Sequence, residues 1–164
     1  MECNDFTGVP VRLRDNGKIV GVVADLVVSL GSGTLTGFLV RSGTILKKIR
    51  FLKAGDVLHL SVYGIDIANA SVLKPYQDKQ DMRWQDDLRG KKVYDIYGKT
   101  IGNIYNLEFS DELTHIAGVV ITDGIAQDIA GGRRILRTDE LQAHQNGFME
   151  RSMEQCQAKD LPQD

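Results

Sequence analysis

The chain has 164 residues, a formal net charge of −2 at pH 7, and 42% hydrophobic and 26% charged residues, proportions typical of globular proteins. Nearly balanced charge argues against a dominant nucleic-acid-binding function, which needs a strongly basic face. No apolar run approaches the roughly 20 residues of a membrane-spanning helix, and no secretory signal is visible at the amino terminus. A cytoplasmic protein without a transmembrane segment is therefore expected.

The chain begins with a predicted β-hairpin. Residues 1–8 are polar and are expected to be loose, and a first strand is predicted from Val9 to Arg14. Asp15-Asn16-Gly17-Lys18 is a strong turn signal because Asn-Gly tolerates the positive φ angles of a type I′ turn. A second antiparallel strand follows over residues 19–29, and Gly21 inside it indicates a bulge or a sharp bend. Such bends let small sheets curl into barrels.

Four more strands are predicted before residue 75, over 34–41, 46–52, 57–61 and 65–68. The strand over 34–41 has Leu35, Phe38 and Val40 as core candidates. The strand over 46–52 carries a cluster of three basic residues, Lys47, Lys48 and Arg50. A solvated hairpin is the usual explanation of such a cluster, and a docking patch for an acidic partner is the sharper alternative.

A polar, charge-rich segment separates this unit from the rest of the chain. Lys74-Pro75 ends the first unit, and residues 76–87 are interpreted as a linker. Trp84, the only tryptophan, is expected to cap an open barrel end or to fill the seam between two units. Stacking of its ring on a ligand is the alternative.

The second half of the chain repeats the first. Gly98-Lys99 stands where Gly17-Lys18 stood, and Gly102 where Gly21 stood, at one offset (98 − 17 = 81 and 102 − 21 = 81). Strands are predicted at about 92–96, 100–109 and 116–122. The next loop is three residues longer, because Arg134 aligns with Arg50 at an offset of 84 (134 − 50). A last hairpin ends near residue 149.

The repeat predicts two β-rich domains, at residues 8–75 and 88–150, joined by the linker at 76–87 and followed by a polar tail at 151–164. A unit of about 80 residues is close to the lower limit for an independent core. The two units are therefore expected to stabilise each other by packing together.

Signatures of catalysis and of metal binding are poor. His59, His115 and His144 lie far apart and form no zinc motif. Cys3 and Cys156 lie near opposite ends, where two reduced thiols are expected and a bridge between the termini stays open. No nucleophile elbow, phosphate loop or dinucleotide fingerprint is present. No catalytic residue, cofactor or metal site is predicted, and an enzyme is not expected.

Two stretches of the second half carry a family resemblance. Leu88–Asp95 (LRGKKVYD) and Tyr97–Gly102 (YGKTIG), with the apolar strand after His115, resemble the PRC-barrel family, named for the cytoplasmic domain of the photosynthetic reaction-centre H subunit. The first half matches through Asp15–Gly21 and Gly37–Val40. The resemblance covers roughly residues 8–72 and 88–150. It implies an all-β chain of two tandem, small, strongly bent antiparallel β-barrels, as in two-domain bacterial members of the family.

The resemblance also implies roles in holding other molecules. The H subunit steadies a membrane complex, and a similar domain of a ribosome-maturation factor binds a ribosomal protein. Neither role is transferred, because the chain shows neither the transmembrane helix of the first nor the amino-terminal domain of the second. The expected function is a non-enzymatic adaptor that binds an unidentified protein partner through a barrel face or the seam between barrels. Homo-oligomers stay open.

Two other functions remain as alternatives. One is a small-molecule or metal-binding module with Trp84, Tyr94, Tyr97 and His115 as candidate lining residues, and the other is an enzyme. The candidate interaction residues are Lys47, Lys48, Arg50, Arg133, Arg134, Arg137 and Trp84. The two basic clusters occupy corresponding hairpins, so a paired basic edge that contacts RNA is a minor variant of the adaptor hypothesis.

Overall fold

The computed structural model describes residues 2–43, 48–77, 81–110, 114–123, 133–145 and 147–151, which form thirteen strands. The first copy of the repeat contains β1 (Pro10–Leu13), β2 (Ile19–Ser29), β3 (Thr34–Ser42), β4 (Lys48–Lys53), β5 (Val57–Ser61) and β6 (Gly64–Ile67). A short β7 (Met82–Arg83) follows. The second copy contains β8 (Lys92–Tyr94), β9 (Thr100–Phe109), β10 (Ile116–Thr122), β11 (Arg134–Leu136), β12 (Leu141–His144) and β13 (Gly147–Glu150). Short 3₁₀ turns occur at Cys3–Phe6, Ala54–Asp56, Ala70–Val72 and Thr138–Glu140, and a π turn occurs at Trp84–Leu88.

The two copies form corresponding sheets. The strand order is β4-β3-β2-β1-β6-β5 in the first and β11-β10-β9-β8-β13-β12 in the second. The pairing is antiparallel except between β1 and β6 and between β8 and β13, which bring the first and last strands of each copy together. The predicted all-β fold with two duplicated β-rich units is confirmed.

The glycines found in the sequence bend the long strands. Gly17 and Gly98 have φ angles of 69° and 83° at the hairpin turns, where a side chain would be strained. A Cβ atom at Gly21 would lie 2.6 Å from Val40 Cγ1 and 2.8 Å from the Arg41 carbonyl oxygen. The bend of β2 against β3 therefore depends on glycine at this position.

The two copies meet at a pseudo-twofold axis that sequence analysis did not predict. Thr34 of β3 forms an antiparallel bridge with His115, the residue 81 positions later (115 − 34). The Leu35 N–H donates to the Thr114 carbonyl at 3.0 Å, and the Ile116 N–H donates to the Gly33 carbonyl at 2.8 Å. Equivalent residues thus contact each other, as they do across the axis of a homodimer.

Each copy is preceded by an arm that packs on the other copy. We call residues 2–6 the first arm and residues 82–88 the second arm. Glu2 of the first arm bridges Glu108 of β9, and Arg83 of the second arm pairs with Val27 of β2. These pairs are equivalent (83 − 2 = 81 and 108 − 27 = 81), so the copies exchange arms.

The arms belong to the hydrophobic core. Cys3 and Phe6 are 0% and 1% exposed, and Trp84 and Leu88 are both 0% exposed. All four belong to one cluster of buried side chains that runs through both copies. The prediction that residues 1–8 are loose is wrong. The segment is mostly polar, but the side chains of Cys3 and Phe6, three positions apart, are buried in the core.

The described part of the chain has no helix that combines the length and apolarity required to cross a membrane. The predicted tail beyond Arg151 lies outside the described residues, as does Cys156. Burial raises the pKa of the free Cys3 thiol far above its ordinary value, and a thiol that stays protonated is a poor nucleophile.

Candidate binding groove between the copies

A β-bulge in each long central strand builds the candidate site. In β2, Val23 pairs with Val40 and Asp25 pairs with Leu39, so Ala24 is the extra residue of the bulge. The same bulge in β9 makes Tyr105 the extra residue. A bulge turns the local strand direction and redirects its side chains, and here it sets Ala24 and Tyr105 at equivalent positions.

The residue after each bulge is polar and buried. Asp25 is 6% exposed and Asn106 is 1% exposed. In each, Oδ1 accepts a hydrogen bond from the N–H of the following residue, at 2.8 Å and 2.9 Å. The same oxygens accept from the arms: Gln85 N–H donates to Asp25 at 3.1 Å, and Cys3 N–H donates to Asn106 at 3.2 Å. These two side chains therefore hold the exchanged arms in place.

The two positions differ in charge. Burial raises the pKa of Asp25, against the effect of its two backbone N–H donors, which lower it. A nearby Asp86 also raises the Asp25 pKa, and Arg83 lowers it. Ionised Asp25 is thus disfavoured in the folded state, whereas Asn106 makes equivalent contacts without a charge.

The Asp25→Asn variant should gain stability relative to the wild type as the pH rises from about 4 toward neutrality. The folded-state pKa of Asp25 lies above the ordinary value of 3.8. Its stabilising contribution is therefore complete below that value and is lost as the pH rises through the folded-state pKa. Urea unfolding of both proteins at several pH values measures the difference.

The matched control is Asn106→Asp, which places a carboxyl group at the equivalent position of the second copy. It should lose stability relative to the wild type over the same rise in pH. A stability difference between Asp25→Asn and the wild type that does not change with pH would contradict the assigned role of burial.

An open groove of about 600 Å³ lies beside Asp25, between the first copy and the second arm. Its apolar side includes Ala24, Leu39, Ile49 and Tyr76. Leu39 is 7% exposed, whereas Ile49 is 48% exposed. An exposed aliphatic side chain beside a buried one offers apolar surface that a partner can cover.

A backbone contact fixes the wall of the groove at Tyr76. Phe51 N–H donates to the Lys74 carbonyl at 2.6 Å, and Lys74 N–H donates to the Phe51 carbonyl at 2.9 Å. Two residues later, the Tyr76 ring packs against the Phe51 ring with a centroid distance of 5.5 Å. The groove wall is therefore held by backbone pairing and by ring packing.

The charged side of the groove has two arginines, Arg83 and Arg50, which differ in their ion pairs. Arg83 forms ion pairs with Asp86 at 2.7 Å and with Asp87 at 3.3 Å. Arg50 is half-buried and makes no ion pair within the part of the chain that the structure describes. Arg50 thus supplies a cation for a carboxylate beside the apolar surface.

The corresponding place in the second copy is filled by the copy's own side chains. Tyr105 stands at the position of Ala24, and Arg133 stands at that of Ile49 (133 − 49 = 84). The Arg133 guanidinium carbon lies 4.0 Å from the centroid of the Tyr105 ring, a cation–π contact. At the equivalent positions the first copy has the small Ala24 and the aliphatic Ile49, so its groove stays open.

The interaction residues expected from the sequence lie at separate places. Lys48 is exposed and Arg50 lines the groove, both on β4, whereas Lys47 lies outside the described residues. On and beside β11, Arg134 forms an ion pair with Glu150 at 2.5 Å, and Arg137 forms one with Asp139 at 2.6 Å. The two clusters occupy edge strands of different sheets.

Trp84 and the other expected lining residues do not converge on one site. Trp84 is completely buried, which leaves no ring face for a partner. Tyr97 is 88% exposed in a hairpin turn, Tyr94 packs edge-on against His144, and His115 bridges the copies. Among the residues described, no group of three or more His, Cys, Asp or Glu side chains is placed to hold a metal ion.

The groove was not predicted from the sequence, although the repeat contains a usable signal for it. Aligning the copies sets Ala24 against Tyr105 and Ile49 against Arg133, two exchanges of a small or aliphatic residue for a large polar one. Their significance depends on knowing that both positions face the same space, which requires the bulge register.

The model of the PRC-barrel domain family matches residues 1–65 and 81–137, so both arms and most strands of each copy lie within the match, whereas β12 and β13 follow it. A search of curated proteins found no match to the chain.

Proposed function

The chain belongs to the PRC-barrel family, and we propose that it is a non-enzymatic adaptor that binds a protein partner in the groove beside Ala24. The observation that carries this proposal is the difference between the copies. One copy fills its groove with Tyr105 and Arg133, whereas the other leaves about 600 Å³ open between apolar side chains and Arg50.

The chemistry of the groove favours an aromatic side chain with a carboxylate nearby as the part of the partner that binds. Tyr105 indicates that an aromatic ring fits at the bulge, and Ala24 leaves the equivalent volume empty. Leu39 and Ile49 provide apolar contact for the ring, and Arg50 can pair with the carboxylate. Buried aromatic anchors dominate the energetics of many protein interfaces.

Filling the groove as the second copy does should strongly weaken partner binding. The double variant Ala24→Tyr/Ile49→Arg copies the residues found at Tyr105 and Arg133, so the fold has a precedent for both side chains. Loss of an aromatic anchor costs about 2 kcal/mol or more, which corresponds to about thirtyfold weaker binding. Quantitative mass spectrometry compares proteins retained from native cells by tagged wild type and variant.

The matched control opens the other groove. Tyr105→Ala should leave retention of the partner unchanged, because Tyr105 lies in the copy whose groove is filled. Both variants are first checked by urea unfolding. Retention of the same proteins in equal amounts by wild type and the Ala24→Tyr/Ile49→Arg variant would exclude the groove as the docking site.

A small-molecule-binding module is the second candidate function. The groove volume falls within the range of about 300–1,000 Å³ of ligand pockets, and its apolar side with Arg50 suits an aromatic carboxylate. Native mass spectrometry of the purified chain distinguishes the two functions. A small ligand lost in the Ala24→Tyr/Ile49→Arg variant, with no protein partner retained by the wild type, would favour this function over the adaptor.

A further inference from the structure

The outer edges of the two sheets differ in how they are covered. In the first copy, β4 is the last strand of its sheet, and Phe51 exchanges two hydrogen bonds with Lys74 on the outer side. In the second copy, β11 is the last strand, and no strand or bridge within the described residues pairs with its outer side.

Ile135 is the residue of β11 that corresponds to Phe51. Phe51 pairs with Leu39, and Ile135 pairs with Val120, the residue 81 positions after Leu39 (120 − 39). Because the register is the same, the backbone N–H and C=O of Ile135 point away from β10, just as the N–H and C=O of Phe51 point toward Lys74. The Ile135 side chain is 53% exposed. Here the β11 edge offers both backbone groups and apolar surface.

Packing holds this part of β11 in place. A Cβ atom at Gly118 would collide with Ile135 Cγ2, just as a Cβ atom at Gly37 would lie 2.7 Å from the Phe51 ring. Phe51 and Ile135 therefore each lie directly over a glycine of the neighbouring strand. An edge ordered in this way loses little conformational entropy when another strand is added.

Two arginines flank Ile135 and lie on the same face of the strand as its side chain. Arg133 and Arg137 lie two residues before and two residues after it, and alternate residues of extended chain point to the same side. Arg133 stacks on Tyr105, and Arg137 pairs with Asp139, whose side chain is 45% exposed. Such exposed contacts are weak and exchange readily with a partner's carboxylates.

We propose that the outer edge of β11 is a second docking site, at which an extended acidic segment of a partner protein adds as an antiparallel strand. One residue of the segment pairs with Ile135 as Lys74 pairs with Phe51. Carboxylates two residues away on either side lie opposite Arg133 and Arg137. Main-chain hydrogen bonds supply affinity and alternate side chains supply specificity, as in β-strand addition generally.

Charge disfavours a second copy of the chain as the occupant. Antiparallel pairing of two β11 edges about Ile135 would set Arg133 of each chain opposite Arg137 of the other. Like charges directly opposite each other destabilise a pair of strands. When an acidic segment is added instead, Arg133 and Arg137 each face a carboxylate, and both contacts are attractive.

The test uses the full chain and a fluorescein-labelled peptide, TDTVTDT, whose central valine is to pair with Ile135. Fluorescence anisotropy should show saturable binding that weakens with added salt. The peptide TKTVTKT should bind at least about tenfold more weakly. Ile135→Pro removes the outward N–H without breaking the β10–β11 ladder, since proline is tolerated on an edge strand. It should weaken TDTVTDT binding by about tenfold or more.

The charge-reversal variant Arg133→Glu/Arg137→Glu should reverse the preference, so that TKTVTKT binds more tightly than TDTVTDT. The proposal is overturned if neither peptide binds at millimolar concentration, if both bind equally, or if Ile135→Pro binds TDTVTDT as the wild type does. It is also overturned if sedimentation velocity shows a dimer of the chain that Ile135→Pro abolishes.

This inference rests on the proposed adaptor function but concerns a different surface. The peptide assay contains no cellular partner, so its outcome does not depend on the groove. Failure of the peptides with an intact effect of Ala24→Tyr/Ile49→Arg on partner retention removes the edge site alone. Peptide binding without groove-dependent retention removes the groove site alone.

Discussion

Replacing Trp84 with alanine should lower the free energy of unfolding by about 3–5 kcal/mol, the range for loss of a large buried aromatic side chain. The ring is 0% exposed and belongs to the cluster that runs through both copies. It follows β7, which pairs with β2, so the second arm carries the ring into the contact between the copies. Because domains are stable by only about 5–15 kcal/mol, this loss is a large part of the total.

Urea unfolding followed by far-ultraviolet circular dichroism measures this loss. Trp84→Phe should lose less, because the indole Nε1 has no hydrogen-bond partner in the described structure, so replacing it sacrifices no hydrogen bond. Tyr97→Ala is the control at an aromatic residue that is 88% exposed, and it should change stability by no more than about 0.5 kcal/mol. Equal effects of Trp84→Ala and Tyr97→Ala would show that the indole is not part of the core.

The Phe6→Ala variant should also lose about 3–5 kcal/mol of stability, although the segment around this residue reads as polar. Phe6 is 1% exposed, and its ring lies 6.2 Å from that of Phe38, centroid to centroid. Removing it leaves a cavity where the first arm contacts the first copy.

The same urea unfolding assay measures this variant, and Tyr63→Ala is the matched control because Tyr63 is 83% exposed. A Phe6→Ala protein as stable as the wild type would mean that residues 2–6 do not belong to the folded core. The result thus decides between the polar, loose segment expected from the sequence and the buried arm found in the structure.

The exchange of arms explains why two small units form one molecule. Cys3 donates its N–H to Asn106 of the second copy, whereas Phe6 of the same arm packs on Phe38 of the first. The second arm bonds to Asp25 of the first copy through Gln85 and continues into the second copy. Each arm therefore contributes to the packing of both copies, which fits the small core available to a unit of about 80 residues.

The difference between the copies is the main functional signal of the duplication. Shared features, such as the bulges and the arm contacts at Asp25 and Asn106, serve the fold. Features that differ leave surface uncovered: Ala24 opens a groove that Tyr105 closes, and Lys74 covers an edge whose counterpart at Ile135 has no pairing strand among the described residues. These two uncovered surfaces are the ones assigned to binding.

The local structure and the repeat could be predicted from the order of the amino acids alone. The turn at Asn16-Gly17 and the long strand after it were predicted at residues 19–29 and found there, because glycine and strand propensity act on neighbouring residues. Leu35, Phe38 and Val40 were predicted to be in the core and are all buried. The constant offset of 81 residues was enough to identify two copies of one β-rich unit.

How the copies meet, and which surfaces they leave open, depends on contacts between distant parts of the chain. The Thr34–His115 bridge, the arm on Glu108 and the covered edge at Phe51 join residues far apart in the chain. No local propensity encodes such contacts, because their free energy comes from surfaces that exist only after both sheets have formed. For the same reason, the groove beside Ala24 became visible only when the bulge, β4 and the second arm were placed together.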